Sequence, residues 1–133
     1  MTVHSDIKDL IRRYLQAWNE RDFPGMVALF TEPATYVIPG GTLHLPDHAA
    51  LNAKLKEQFA ALEADDFSHT EIRDVTVQNC TDTSAMARLH DVVRLRADGT
   101  ALDVIDAVYI CILQEGRWKL SIAMACTPGW NLR

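Results

Sequence analysis

The sequence predicts an α+β domain in which helices cover one face of an antiparallel sheet. Three observations carry this. In the first half, apolar residues recur at helical spacing, at Ile7, Leu10, Ile11, Tyr14, Leu15 and Trp18 and again at Leu51, Leu55, Phe59 and Leu62. From Phe67 onward the period shortens to that of strands. The turns between those strands are too short for a crossover helix, so neighbours must run antiparallel. Helices followed by such strands give helices on one side of a sheet.

Taken in order, Ser5 is placed to cap a first helix ending near Glu20, with Asp6 and Asp9 in the first turn at the positive end of the helix dipole. Asn19 and Asp22 mark a break. Asp22 then caps a short second helix with Pro24 in its first turn, where the missing N–H has no cost. Pro33 is expected to end that helix, and Thr35 to Ile38 reads as a strand leading into a Pro39-Gly40-Gly41 turn. Asp47 caps a third helix from about His48 to Glu63. Four strands follow, from Ile72 to about Cys80, Ala85 to Arg96, Ala101 to Leu113 and Trp118 to Cys126.

A chain of 133 residues, 48% hydrophobic, suits one core and a single domain over 1–133. Net charge is −5 with scattered Lys and Arg, which argues against nucleic acid as a partner. No apolar run approaches the roughly 20 residues of a membrane span, and Asp6, Lys8 and Asp9 occupy the place of a signal peptide's apolar core. No membrane partner and a cytoplasmic location are the expectation. Cys80, Cys111 and Cys126 are odd in number, far apart and without metal-ligand spacing, which reads as buried reduced thiols. No metal and no cofactor are expected.

The opening pattern is a helix, then Ala17, Asn19 and Asp22 at the break, Gly25, Leu29 and Phe30 next, and Ala34-Thr35 entering a strand. It resembles the nuclear transport factor 2-like superfamily, and the late Gly116-Arg117-Trp118 is similar to its SnoaL-like and SgcJ-like members. The resemblance implies three N-terminal helices on a strongly bent antiparallel sheet, forming a cone-shaped pocket. This superfamily hosts isomerases, dehydratases, cyclases and non-catalytic binding proteins, so fold does not decide activity. The opening is most like ketosteroid isomerase. In that comparison Tyr14 takes the place of the oxyanion tyrosine and Asp106 that of the oxyanion aspartate. Ile38 stands where the general base belongs, and Phe59 where a supporting tyrosine belongs.

Asp106 lies in an apolar strand, so it must be protonated, paired or facing a polar cavity. It either donates a hydrogen bond into the pocket or forms a structural network with Arg88 or His90. With Asp106 inward, alternation sends Val104, Val108 and Ile110 inward too. Ile105, Ala107, Tyr109 and Cys111 then face outward, where a second subunit would bury them in a homodimer through the sheet. Arg88, His90, Val92 and Arg94 share one face, taken as inward, which makes His90 either a proton carrier or a structural histidine. Tyr14, Trp18 and Tyr36 can line a pocket or fill the core. Ile38, Phe59 and Met124 complete the expected lining, while His44 and His48 beside Pro46 are expected on the rim. Mostly apolar walls with a few polar groups suit a small, largely hydrophobic molecule. Three readings follow: a binding protein, an isomerase, cyclase or dehydratase using Tyr14, Asp106 and His90, or a dimeric accessory protein.

Overall fold

The computed structural model describes residues 2–129. Three helices, α1 (Val3–Glu20), α2 (Phe23–Ala28) and α3 (His48–Ala64), accompany six strands. These are β1 (Phe30–Ile38), β2 (Gly41–Leu45), β3 (Phe67–Thr81), β4 (Ser84–Arg96), β5 (Ala101–Gln114) and β6 (Arg117–Cys126). They form one curled, unclosed sheet in the order β2-β1-β6-β5-β4-β3, with the helices on its inner face, which is the expected α+β cone.

The helix break shows why its residues are what they are. The side chain of Asn19 pairs with the backbone of Thr70 in both directions, donating to its carbonyl at 3.0 Å and accepting from its N–H at 2.8 Å. An amide side chain here imitates a neighbouring strand, and it ties the end of α1 to β3. Next to it the Trp18 indole N–H donates to the Thr70 hydroxyl at 2.9 Å. Asp22 caps α2 by accepting the Gly25 N–H at 3.0 Å. A Cβ at Gly25 would lie 2.2 Å from an Asp22 oxygen, so only glycine fits under that cap.

Several boundaries differ from expectation. Thr2, not Ser5, caps α1. Ser5 is the reciprocal partner three residues on, its N–H donating to Thr2 Oγ1 and its hydroxyl accepting the Thr2 N–H. The second helix closes at Ala28 rather than at Pro33, and Pro33 lies inside β1, where pairing with β6 is interrupted between Phe30 and Thr35. β1 and β6 run parallel, against the expectation of an all-antiparallel sheet, which the long connection from Pro39 to Gly116 permits. Gly41 to Leu45 is a strand paired with β1, so His44 lies on an exposed edge opposite Thr35. His48 opens α3, its Nε2 2.9 Å from the Phe30 carbonyl oxygen. Cys111 is buried as expected, but Cys126 is only half-buried and Cys80 is exposed near the end of β3.

The most consequential difference is a bulge in β4. Leu89 pairs with Ala107 and Val92 with Ile105, so His90 and Asp91 together oppose Asp106 alone. Asp91 takes up the extra residue at φ 54°, in the left-handed region. Leu89 and Val92 are both buried in the core. Alternation therefore reverses across the bulge. Arg88 and His90 lie on the outer face, whereas Val92 and Arg94 lie on the inner one, and the expected common face of these four does not exist.

Candidate functional site

Two adjoining cavities of about 90 and 60 Å³ lie between α1 and the inner face of the sheet. Both are lined by Tyr14, Trp18, Arg94, Ile105, Ala107 and Tyr109. Tyr36, Ile38, Gln58 and Met124 line the larger, and Thr70, Ile72, Leu89 and Val92 the smaller. A wider surface groove of about 350 Å³ lies elsewhere, between α1 and the β5–β6 turn. Its walls are charged side chains such as Asp9, which Arg12 and Arg13 already pair, and Lys119, which donates to the Ala28 carbonyl. That groove offers no apolar enclosure.

The structure brings Tyr14, Trp18, Tyr36, Ile38 and Met124 together as expected. It does not bring Asp106 or His90 to them. Ile105, Ala107 and Tyr109 line the cavity, so Asp106, which alternates with them, points to the other face. This reverses the expected parity of β5: Val108 and Ile110 face outward with Asp106, and Tyr109 faces in. Asp106 is nonetheless only 2% exposed, because its two oxygens accept the N–H groups of Asp91, at 2.9 Å, and Gly129, at 3.0 Å. It holds the β4 bulge and the turn after β6. His90 Nε2 lies 3.1 Å from the Thr76 hydroxyl on the neighbouring strand. Phe59 does not line the cavity either. It lies behind Trp18, with ring centroids 4.4 Å apart.

Three of the wall residues that the expected lining omits bear on its chemistry: Tyr109, Gln58 and Arg94. Tyr109 follows from alternation once Asp106 is turned outward. Gln58 falls between Leu55 and Leu62 on the apolar stripe of α3, and a polar residue there is a legible signal. Its Oε1 is buried without a hydrogen-bond partner among the described residues. Arg94 lies on the inner face, as its alternation with Val92 implies, but Arg88 and His90, expected beside it, are turned outward by a bulge that leaves no mark in the residue pattern.

All three tyrosines of the chain meet here. The Tyr14 and Tyr109 rings are 5.9 Å apart, and the Tyr14 phenol is close enough to those of Tyr109 and Tyr36 for each to act on it. Burial pushes the Tyr14 phenol well above its ordinary value, raises Tyr36 in the same way and pushes Tyr109 up to about 12, the nearby positive charge of Arg94 working against burial at Tyr109. The cluster is therefore a set of neutral donors. Unfolded, these phenols lose their protons near pH 10. Folded, they keep them, so their contribution to stability is complete below pH 10 and is lost as pH rises from there through the folded values. A near-ultraviolet titration should show no phenolate near pH 10 in the folded protein, then phenolate appearing together with unfolding. Reversible ionisation near pH 10 in folded protein would contradict the cluster.

Among the described residues no group of three or more His, Cys, Asp or Glu side chains could hold a metal ion, and no helix is long and apolar enough to cross a membrane.

Residues 5–128 match the family described as NTF2-like protein (DUF6841). No curated protein matches the sequence. Among solved structures, the chain is similar to an NTF2-like protein with a cystatin-like fold from Novosphingobium aromaticivorans, with 23% identity and a TM-score of 0.75 over 92% of this chain and 80% of that one. It is similar to an NTF2-like protein of unknown function from Pseudomonas putida, with 19% identity and a TM-score of 0.75 over 94% and 86% of the two chains. It is also similar to Aln2 from a Streptomyces species, with 19% identity and a TM-score of 0.74 over 97% and 93%. At these identities the solved structures speak for the fold alone. The family match covers nearly the whole chain, and the chain belongs to the NTF2-like family DUF6841.

Proposed function

We propose that the protein binds a small, largely hydrophobic molecule in the cavity under Trp18, with an oxygen of that molecule accepting a hydrogen bond from the tyrosine cluster. One observation carries this reading: the three tyrosines converge on a single apolar cavity, where their hydroxyls are held protonated. An apolar cavity of roughly 150 Å³ holds one benzene ring. Two adjoining spaces of about 90 and 60 Å³ therefore suit a single-ring molecule rather than a steroid. Binding is favoured over an isomerase, cyclase or dehydratase activity. Neither a carboxylate nor an imidazole lines the cavity among the described residues, and Ile38 stands where a base would be needed.

The test is a heteronuclear NMR titration with phenol and with cyclohexanone. Saturable shifts confined to residues around Tyr14, Trp18 and Tyr109 are expected. Tyr14→Phe should weaken binding about fivefold, the worth of one neutral hydrogen bond at about 1 kcal/mol. Shifts spread over the outer face, or none at millimolar probe, would refute the reading.

The outer face supports a second subunit. Met86, Ile110 and Ile122 form one register row there and are only partly covered. An apolar row on the solvent side of a sheet favours association of two copies back to back. These residues replace Ile105, Ala107, Tyr109 and Cys111 as the expected contact. Light scattering at micromolar concentration should give twice the 14.9 kDa chain mass, and 14.9 kDa would end the proposal.

A further inference from the structure

The geometry points to an organic anion as the cavity's ligand: a single-ring carboxylate whose charged group sits on Arg94. This rests on the reading of the cavity as a binding site and adds the charge and the anchor.

Arg94 is the charged residue on the wall of both cavities. Its side chain is 23% exposed, and its guanidinium carbon lies 6.0 Å from the Trp18 ring centroid. Asp103, on the neighbouring strand, is its ion-pair partner through one long contact of 3.3 Å from Nη1. A guanidinium carries five N–H donors in a planar fork, so one long contact leaves most of that capacity for a ligand. Asp103 is also the more exposed of the two, at 42%, where solvent weakens its hold.

The position of Arg94 is not an accident of a flexible surface chain. In an unbulged strand it would share the outer face with Arg88. The extra residue at His90–Asp91 turns it inward, and the buried carboxyl group of Asp106 holds that bulge by accepting the Asp91 N–H. A fixed backbone feature thus places a cation on the wall of a cavity whose other polar groups, among the described residues, are neutral. Arg94 is also close enough to Tyr109 for its charge to act on that phenol. A carboxylate beside Arg94 would pair with the guanidinium through two parallel hydrogen bonds, while its ring lies along Trp18, Ile105 and Ala107.

The test uses the whole chain and two isosteric probes, benzoate and the neutral benzamide, by calorimetry or NMR titration. Benzoate should bind about tenfold more tightly than benzamide, as a charge-assisted pair allows. Added salt should weaken benzoate alone. Arg94→Gln should abolish the difference, and Arg94→Lys should keep part of it. Asp103→Asn leaves Arg94 in place without its competitor, so it should tighten benzoate several-fold and leave benzamide unchanged. It also serves should Arg94→Gln fail to fold. Benzamide binding as tightly as benzoate would overturn the inference and leave the cavity reading standing. Binding of neither probe would overturn both. A benzoate preference that survives in folded Arg94→Gln, or is untouched by Asp103→Asn, would remove Arg94 as the anchor.

Discussion

Asp106→Ala is expected to destabilise the fold by about 3–6 kcal/mol, since hydrogen bonds to a charged group contribute roughly 1.5–3 kcal/mol each and this carboxyl group accepts two. Both donors are backbone N–H groups. Removing the acceptor leaves them unsatisfied beside a side-chain void in a place with almost no solvent. Asp106→Asn should be milder. Its amide oxygen can serve one donor, while its NH2 group faces the other donor and cannot accept. Urea unfolding checks the order, alanine worse than asparagine and both worse than wild type. Hydrogen exchange at Asp91 and Gly129 checks the place, because those two amides should lose protection first. A loss below about 1 kcal/mol for the alanine variant would mean that the two N–H groups find other partners.

Phe59→Ala should cost a similar amount, about 3–5 kcal/mol, the usual range for deleting a fully buried aromatic ring. Phe59 is 2% exposed and meets three other rings, Trp18 at 4.4 Å, Phe23 at 5.3 Å and Phe67 at 6.0 Å. The Arg21 guanidinium stacks between Phe59 and Phe67, at 5.3 and 5.0 Å from their centroids, while Nη1 donates to the Ser68 carbonyl at 2.8 Å. Emptying the Phe59 site therefore loosens the joint of α1, α3 and β3 as well as leaving a void. The readout that separates this role from a place on the cavity wall is probe affinity. The variant should unfold at lower denaturant, yet bind phenol with nearly wild-type affinity while still folded. A large loss of affinity with unchanged stability would put Phe59 on the wall.

The fold was legible because its signals are local and repeated. The apolar stripe of α1, the caps at Asp22 and Asp47, and the short strand connections each specify an element without reference to the rest. The short strand β2 was missed because Gly41 to Leu45 looks like a loop and becomes a strand only by pairing with β1. The site was half legible. Tyr14, Trp18 and Tyr36 announce themselves as large amphipathic rings near a helix–sheet junction. Asp106 was rightly marked as a carboxyl group that needs partners, but the sequence offers side chains as candidates and the partners are backbone amides. Fixing Asp106 inward then reversed every neighbour on β5, because one wrong phase in a period of two inverts a whole strand. His90 and Arg94 were separated for the same physical reason, by a bulge that no residue type in Leu89 to Val92 requires.

That bulge makes β4 a strand read in two frames. Residues before it and after it obey opposite rules about which side is lumen and which is exterior. A substitution anywhere in β4 changes one side chain on one side. Losing or gaining a single residue at His90–Asp91 would exchange the two sides for everything beyond, sending Arg94 out to solvent and Val93 into the cavity. The strand can thus absorb change in composition far more easily than change in length at this one point. An insertion or deletion there would rewrite the cavity wall while leaving the helices, the caps and the outer row beginning at Met86 untouched.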